Sequence, residues 1–384
     1  MTPGLPRMLG VLVALLCFGQ PQSHAAEPGI GPRSILIGQS AAFSGPSGAL
    51  GREFRQGAHY AFNEVNARGG VHGRQIITIY RDDGYEPDRA AVNTSKFAAK
   101  DQVFALFGYV GTATVVSSLP ILERFGIPLI APVTGAQIIR SPVHRLVFNL
   151  RSSYHREIAL LVDYLSRYGR DAIAIVYQND AFGKDGLNGL LKALAPKARK
   201  PVAMETVQRN SANTQEAARR VARSKPEAVL LVSSYSTNAS FIKHYRKLDT
   251  TAQIFNLSFV GSNALSRALP SPLRHGIGVS QVVPFPWDPR LPIVRDYQLA
   301  MKRSDPEAKF GFSSLEGYMA AQLLIRALDQ AGPNPTRQAF MSALDQLQSS
   351  DIGGFPFTMS QSNRSGSSFV QLTFLNGQAG SFIH

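Results

Sequence analysis

Short runs rich in isoleucine and valine alternate with stretches of helical periodicity along most of this 384-residue chain. Such alternation is typical of parallel sheets whose strands are joined by crossing helices, so it predicts an α/β fold. In the first helical stretch, apolar residues recur at intervals of three and four from Leu50 to Val65 and stop at Gly69-Gly70. The strands predicted in this first part are residues 35–37, 76–80, 103–106 and 128–131.

The same alternation restarts after residues 141–151, with strands predicted at residues 173–177, 202–207, 229–232 and 254–257. A set of strands and helices that stops and restarts indicates two similar lobes. The link at residues 142–149 contains Pro142 and little periodicity, so we expect a crossing between the lobes there.

The C-terminal part is less regular. Residues 282–292 carry four prolines, which excludes a central strand or a helix interior. Helical periodicity follows over residues 314–331, and "FLNGQ" predicts the turn of a hairpin near the C-terminus.

The first residues predict a cleaved signal peptide over residues 1–25. Arg7 precedes an apolar stretch of about eleven residues, too short for a bilayer span of about twenty, and the small-residue site Ser23-His24-Ala25 follows it. The chain's single cysteine, Cys17, lies inside that segment. The mature chain is therefore expected to lack disulfides, cysteine nucleophiles and thiolate metal sites.

The chain is basic, with a formal net charge of +14. This balance is compatible with nucleic acid or an acidic membrane surface as a partner. However, the charges occur singly or in short pairs such as Arg219-Arg220, without a block of five or six. The pattern favours a generally basic exported protein that binds no nucleic acid.

The sequence carries none of the common catalytic or cofactor signatures. No GxGxxG follows the first strand, GxxxxGK[ST], GxSxG and HExxH are absent, and the eight histidines lack ligand spacing. We therefore expect no catalytic residues, no cofactor and no metal. The pair Asp82-Asp83 after a strand would suit acid/base chemistry, but the competing interpretation, a polar turn or helix cap, is favoured.

Loops rich in small and hydroxylated residues follow the predicted strands, among them "AAFSGPSGALG", "GYVGTATV", "APVTGAQ", "NLRSSY", "QNDAFG" and "SSYSTN". Open α/β sheets bind ligands at the carboxyl ends of their strands. Loops that open helices offer free N–H groups and the positive end of the helix dipole. These loops predict a site for a small polar ligand, an anionic group being the natural guest.

Four segments in order resemble the type I periplasmic solute-binding proteins of the leucine/isoleucine/valine class. The longest is "ILIGQSAAFSGPSGALGREFRQGAHYAFNEVNARGGVHGRQIITIYRDDGYEPDRA", followed by "FGIPLIAPVTGA", "AIAIVYQNDAFGKDG" and "SLEGYMAAQLLIRAL". The resemblance implies two Rossmann-like lobes, each a mostly parallel sheet flanked by helices, joined by three crossings that close on a ligand. It places the crossings near residues 145, 280 and 354. The N-terminal lobe is then 26–145 plus 281–354, and the C-terminal lobe is 146–280 plus 355–384.

The resemblance also implies a periplasmic monomer that delivers a small molecule to the membrane permease of an ABC importer. The family's carboxylate-binding loop falls on residues 109–114, its second anchoring turn on residues 133–136, and its closing aromatic residues on Phe182 and Tyr235. Leu50 and Phe312 match positions that line the side-chain pocket. The ligand-binding residues predicted with these are Tyr109, Val110, Thr112, Val133, Thr134, Gly135, Ala136, Ser258 and Phe259.

The chain departs from the amino-acid-binding members at one position. They place an acid after the strand that here ends near residue 257, to pair with the ligand's ammonium group, whereas this chain has Ser258-Phe259. Because burying an unpaired ammonium costs several kcal/mol, we expect a carboxylate-bearing ligand without a required ammonium, unless Asp180 takes that role. Arg151 and Tyr154 are candidates for a second anchor, with a surface or lobe–lobe salt bridge the alternative for Arg151.

Two alternatives to an importer subunit remain open. One is a ligand sensor on the same fold that feeds a receptor or regulator, and the other is an exported α/β enzyme.

A family cysteine after the paired Asp is also absent, and Tyr85 is expected to cover the same apolar surface.

Overall fold

The computed structural model describes residues 27–378 and 380–383, so the predicted signal peptide lies outside the described residues. The first lobe contains a five-stranded parallel sheet in the order β2-β1-β3-β4-β5. The four predicted strands of this part are confirmed, with β1 and β2 longer than predicted and β3 and β4 shorter. The strands are β1 Ser34–Ala41, β2 Gln75–Asp82, β3 Ala105–Phe107, β4 Leu129–Ile130 and β5 Val147–Phe148.

Helices α1 Gly48–Ala67, α2 Pro87–Ala99 and α3 Thr112–Phe125 join these strands. The predicted apolar face of α1, from Leu50 to Val65, is buried, and the chain turns away where Gly69 and Gly70 adopt positive φ angles. A glycine permits close packing at the centre of α1. A Cβ at Gly57 would lie 1.7 Å from the carbonyl oxygen of Ser314, so no side chain fits there.

The second lobe contains a seven-stranded sheet in the order β14-β13-β10-β9-β8-β6-β7, parallel except at β13 and β14. Its four predicted strands are confirmed, and a small separate sheet pairs β11 with β12. The strands are β6 Ile173–Gln178, β7 Ala203–Val207, β8 Ala228–Val232, β9 Gln253–Asn256, β10 Gly278–Gln281, β11 Thr358–Ser360, β12 Asn363–Gly366, β13 Gln371–Leu375 and β14 Phe382–Ile383. Helices α4 Tyr154–Arg167, α5 Ala181–Leu194, α6 Gln215–Arg223, α7 Tyr235–Tyr245, α8 Ser262–Ala268 and α9 Ser271–Arg274 complete it.

After β10 the chain runs through the proline-rich segment and returns to the first lobe as α10 Pro292–Ser304, α11 Phe312–Ala331 and α12 Arg337–Leu344. Helix α11 packs against α1, and a Cβ at Gly317 would lie 1.9 Å from the Phe54 carbonyl oxygen. The predicted C-terminal hairpin is present as β13 and β14.

The first crossing begins later in the chain than predicted. Val147 and Phe148 pair with Leu129 and Ile130 of β4, so the chain leaves the first sheet after residue 148 instead of near 145. Pro142 precedes this short strand, and a two-residue strand has too little periodicity to detect in a sequence. Within residues 27–378 and 380–383, no helix is both long and apolar enough to cross a membrane.

Candidate functional site

The loops at the carboxyl ends of the two parallel sheets meet between the lobes. Tyr85, which follows β2, accepts a hydrogen bond at its hydroxyl from Gln178 Nε2 at the end of β6, 3.1 Å away. The Tyr235 hydroxyl of α7 lies 3.4 Å from the amide nitrogen of Ala49 in α1. Leu50 lies against Gly261, on the opposite lobe. These contacts place Leu50 and Tyr235, both predicted site residues, at the interface.

The predicted carboxylate-binding loop forms the start of α3. A bridge joins Val110 to Val133, and the Thr112 and Thr134 hydroxyls are hydrogen-bonded at 2.7 Å. Gly111 adopts a φ of +106°, and a Cβ there would meet the ring of Tyr85 at 2.3 Å. The sequence therefore needs glycine at this point to let the two loops approach.

Tyr109 contributes only its backbone to this loop. Its carbonyl accepts a hydrogen bond from the Val133 amide at 2.7 Å. Its side chain packs with Phe97 and Val115 in a core cluster of the first lobe, and its hydroxyl lies 3.0 Å from Thr94 Oγ1. The prediction of Tyr109 as a ligand contact is therefore wrong for the side chain, because the residue points away from the other lobe.

The second anchoring turn, residues 133–136, is held against the start of α4. The Gly135 carbonyl accepts a hydrogen bond from the Tyr154 amide at 2.9 Å, and a Cβ at Gly135 would lie 2.7 Å from that nitrogen. The Ala136 amide lies 3.3 Å from Thr134 Oγ1. The backbone of this turn is thus held in place between the first lobe and α4, and its role as a ligand anchor stays a prediction.

Arg151 lies at the centre of the interface, on the segment that leaves β5. Its side chain is 2% exposed. The Nη2 group donates to Ser258 Oγ at 2.6 Å, and Nε lies 3.2 Å from a carboxylate oxygen of Glu316. Nη1 has no acceptor among the described residues. Arg151 thus joins the lobes through a buried ion pair and leaves its Nη1 group without an acceptor among the described residues.

The carboxylate of Glu157, in α4, lies against Ser258 at the end of β9, where the sequence has no acid of its own. The Ser258 amide and hydroxyl donate to the Glu157 carboxylate at 2.8 and 3.0 Å, and the Ser280 hydroxyl donates to it at 2.6 Å. Burial raises the pKa of Glu157 and of Glu316, while the positive charge of Arg151 opposes the rise. Both carboxylates therefore depend on Arg151 for charge compensation.

Asp180 is not free to receive an ammonium group. It caps α5 by accepting from the Phe182 amide at 3.0 Å, accepts from Gln178 Nε2 at 2.6 Å, and pairs with Arg209 at 3.2 Å. Its oxygens are committed to the loop that holds Phe182.

Four aromatic rings form a continuous cluster between the lobes. The centroid of Phe182 lies 4.9 Å from Tyr154 and 4.7 Å from Phe259, and Phe259 lies 5.8 Å from Tyr85. Tyr154 is the ring of this cluster that interacts with the charge of Arg151. Burial raises the pKa of Tyr154 to about 12 against the opposing influence of Arg151, and its hydroxyl lacks a well-formed hydrogen bond among the described residues.

Tyr85 lies in the aromatic cluster although it is not among the predicted site residues. Its side chain is fully buried, and burial raises the pKa of its hydroxyl. It does more than cover an apolar surface, because its hydroxyl reaches Gln178 of the opposite lobe. Its position directly after the C-terminal end of β2 is the signal that would have indicated it.

Phe312 belongs to a different aromatic group. Its ring packs against Phe285, Trp287 and Phe382 at centroid distances of 6.0, 5.7 and 5.3 Å. No ring contact joins it to Tyr85, Phe182 or Phe259 in the part of the chain that the structure describes. Its side chain therefore packs where the proline-rich segment meets the terminal hairpin, and the aromatic cluster forms without it.

Asp82 and Asp83 have structural roles, as the competing interpretation held. Partial burial acts to raise the pKa of Asp82, but hydrogen bonds from Ser44, Phe43 and Gly84 lower it to about 2. Asp83 is fully buried and accepts from Ser40 Oγ at 2.7 Å and from the Tyr85 amide at 2.8 Å. Burial raises the pKa of Asp83 to about 6.

Asp83→Asn should increase the free energy of unfolding near pH 8 by up to roughly 3 kcal/mol, the equivalent of a shift of about two pKa units. The folded state binds the Asp83 proton more tightly than the unfolded chain, so ionisation lowers stability as the pH rises from about 4 through 6. The gain should shrink near pH 5. Urea unfolding at both pH values measures it, and Asp82→Asn, where the pKa shift has the opposite sign, should destabilise near pH 8. A D83N protein less stable than wild type near pH 8 would contradict the assignment.

Within residues 27–378 and 380–383, no group of three His, Cys, Asp or Glu side chains is arranged to hold a metal ion. The interface offers hydroxyls, backbone N–H groups, the buried guanidinium of Arg151 and aromatic rings. These groups are suited to binding a small molecule between two lobes. The fold and this interface define a two-lobed α/β binding protein.

A family model described as periplasmic binding protein matches residues 34–378, and the chain belongs to this family. A possible leucine/isoleucine/valine-binding protein from Rhodopirellula baltica SH 1 superposes with a TM-score of 0.86 and 32% identity, over 92% of this chain and 96% of that one. An amino acid binding protein of Pseudomonas aeruginosa is 22% identical over 79% of this chain and 81% of its own length. An ABC transporter solute binding protein from R. palustris, solved in complex with benzoate, superposes with a TM-score of 0.79 and 21% identity, over 91% of this chain and 95% of that one.

The predicted family and fold class are thus confirmed. The family is one of substrate-binding proteins of the periplasm.

Proposed function

We propose that this protein is the substrate-binding component of an ABC importer and that it captures a small carboxylate with an aromatic or other apolar body between its two lobes. The observation that carries the proposal is Arg151, a fully buried guanidinium at the lobe interface whose Nη1 has no acceptor among the described residues. A guanidinium binds carboxylates through paired N–H donors, and such charge-assisted bonds are strong when water is excluded.

The neighbours of Arg151 support an anion that carries no ammonium group. Glu157 and Glu316 already face Arg151, and the oxygens of Asp180 are committed to α5 and Arg209. An ammonium placed here would find no uncommitted carboxylate among these three, and burying it without one is costly. Thr112, Thr134 and the turn at residues 133–136 would hold the carboxylate from the first lobe.

The aromatic cluster supports the apolar body. Tyr85 comes from the first lobe, whereas Phe182 and Phe259 come from the second, so closing the lobes would bring the rings over a bound ligand from both sides. Stacked and edge-on aromatic contacts favour flat apolar groups. The benzoate bound by the R. palustris relative has this chemistry, a carboxylate on an aromatic ring.

A thermal-shift screen of the mature protein, freed of copurified ligand, tests this proposal. Binding at about 100 times the dissociation constant adds roughly 2.7 kcal/mol to the stability of the folded state. We expect benzoate and related aromatic or aliphatic acids to raise the melting temperature, and benzamide, which matches benzoate without the charge, to raise it less. Stabilisation by α-amino acids alone would refute the ligand class, and stabilisation with turnover of the added compound would refute a binding role.

A further inference from the structure

The loop that follows β7 in the second lobe reaches across to the first lobe, and Asn210 uses its whole side-chain amide there. The amide oxygen accepts a hydrogen bond from Ser47 Oγ at 2.8 Å. The amide nitrogen donates to the Gly84 carbonyl at 3.0 Å and to a Glu86 carboxylate oxygen at 2.9 Å. Since a carboxamide has one oxygen acceptor and two N–H donors, these partners fix which way the side chain points. All three bonds join the second lobe to the first.

Arg209, the preceding residue, connects the same contact to the loop of a closing aromatic residue. Its Nη2 donates to Glu86 at 2.8 Å, and its Nη1 donates to Asp180 at 3.2 Å. Asp180 in turn caps α5 by accepting from the Phe182 amide at 3.0 Å. The Arg209 side chain is 23% exposed, so its two ion pairs are partly shielded from solvent and salt. Residues 47, 84 and 86 of the first lobe and 209 and 210 of the second form a clasp between the lobes.

The first-lobe part of the clasp flanks Tyr85, whose ring belongs to the aromatic cluster. Tyr85 has a φ of +67°, a left-handed conformation that is uncommon for a bulky residue. Such conformations persist only where the surrounding structure holds them, and they cluster at ligand clamps and switch regions. The bonds from Asn210 to Gly84 and Glu86 hold the chain on both sides of Tyr85.

The choice of asparagine at position 210 is explained by the contact between the lobes. Asn210 has a φ of +57°, where glycine is the residue of lowest strain and asparagine is tolerated. Glycine would offer no side-chain bond, and aspartate would offer no donor to Gly84 or Glu86. Asparagine is therefore the residue that suits this backbone and also makes all three bonds to the first lobe.

We propose that Arg209 and Asn210 are positioning residues, and that the clasp holds the lobes closed and sets Tyr85 and Phe182 over the ligand without touching it, an inference that rests on the ligand site proposed above. Because every bond of the clasp joins protein to protein, it closes a fraction of the molecules before a ligand arrives. A ligand that binds only the closed form has an apparent affinity in proportion to the closed fraction. Loss of the clasp therefore weakens binding of any ligand held between the lobes.

The distance between two spin labels, one on each lobe, measures closure directly. Ser95 of α2 and Gln215 of α6 are exposed, and the chain's single cysteine, Cys17, lies in the predicted signal peptide. Ser95→Cys and Gln215→Cys would therefore carry the only two labels of the mature protein. The labelled protein is measured alone and with benzoate, whose affinity is measured by calorimetry. We expect a short, closed distance for part of the ligand-free population and for more of it with benzoate.

Asn210→Gly removes the amide and keeps the left-handed backbone, whereas Asn210→Asp places a carboxylate against Glu86. Each should lower the closed fraction of the ligand-free protein, and with it the affinity for benzoate, by at least about threefold. Glu86→Gln added to N210D restores a donor and acceptor pair across the lobes and should recover part of the loss. Gln102→Gly is the matched control, because Gln102 also carries an amide on a left-handed backbone, with a φ of +49°, at an exposed position.

The outcomes separate the clasp from the ligand class. A ligand-free wild type without a closed population would overturn the clasp, and so would N210G and N210D with wild-type distances. Altered distances with unchanged benzoate affinity would overturn the positioning role. If benzoate does not bind while both variants alter the distances, the clasp stands and the proposed ligand class fails. If benzoate binds and Q102G lowers the closed fraction as much as N210G does, the ligand class stands and the clasp fails.

Discussion

Arg151→Met should lower the free energy of unfolding near pH 8 by about 3–5 kcal/mol, the usual cost of removing one partner from a buried ion pair. The variant leaves Glu316 and Glu157 buried without their cation, since Arg151 Nε lies 3.2 Å from Glu316 and Arg151 Nη2 contacts Ser258, which holds Glu157. Denaturant unfolding of the mature protein measures the loss. Arg170→Met, at an exposed position, should change stability little.

The pH dependence of this loss identifies its cause. Burial already raises the pKa of Glu157 and Glu316, and removing Arg151 raises both further. The folded variant then holds protons that the unfolded chain releases, so its stability falls as the pH rises above about 4.5. The deficit of R151M should therefore be smaller near pH 5 than near pH 8. A deficit that does not vary with pH would indicate lost packing instead of uncompensated charge.

A double variant separates the two carboxylates. Arg151→Met combined with Glu316→Gln should recover part of the lost stability, because one of the two uncompensated charges is gone.

Arg151→Lys keeps the positive charge but offers one ammonium in place of a planar fork. We expect R151K to fold and to bind the carboxylate identified in the ligand screen at least about tenfold, or 1.4 kcal/mol, more weakly. Wild-type affinity in R151K would remove Arg151 from the ligand site.

The strands were predictable because each buried parallel strand is a short apolar run between helices. The runs at 35–37 and 173–177 lie within β1 and β6, and the apolar face of α1 is buried as its spacing indicated. The two-residue strand β5 was not predictable from the sequence, because its pairing with β4 depends on the sheet that surrounds it. Local pattern thus predicted the elements, and the boundary between lobes required the fold.

The site was predictable at the level of loops and less so for side chains. Position in a loop does not determine which way a ring points, so Tyr109 was placed in the site although it packs in the core of its lobe. The pairing of Arg151 with Glu316, and of Glu157 with Ser258, joins residues that are distant in the chain. The first contact forms only when the lobes meet, and the second only when α4 packs near the end of β9, so no sequence spacing indicates either.

Phe182→Ala should weaken binding of any ligand of the lobe interface by about tenfold or more, together with a loss of stability of up to about 3–5 kcal/mol that is usual for a buried phenylalanine. The ring contacts Tyr154 and Phe259 at 4.9 and 4.7 Å and is 1% exposed. Its removal takes away the centre of the aromatic cluster, so a bound ligand would lose both apolar contact and protection from water.

A matched control separates affinity from stability. Phe241→Ala removes an equally buried ring from the core of the second lobe, where Phe241 stacks on Tyr245 at 5.4 Å. It should destabilise the protein to a similar degree while the folded protein keeps wild-type affinity, which calorimetry well below both melting temperatures can measure. If F182A binds as tightly as F241A, the cluster of Tyr85, Tyr154, Phe182 and Phe259 is a structural contact between the lobes and the ligand lies elsewhere along the interface. If only F182A loses affinity, closure of these rings over the ligand is the step that retains it.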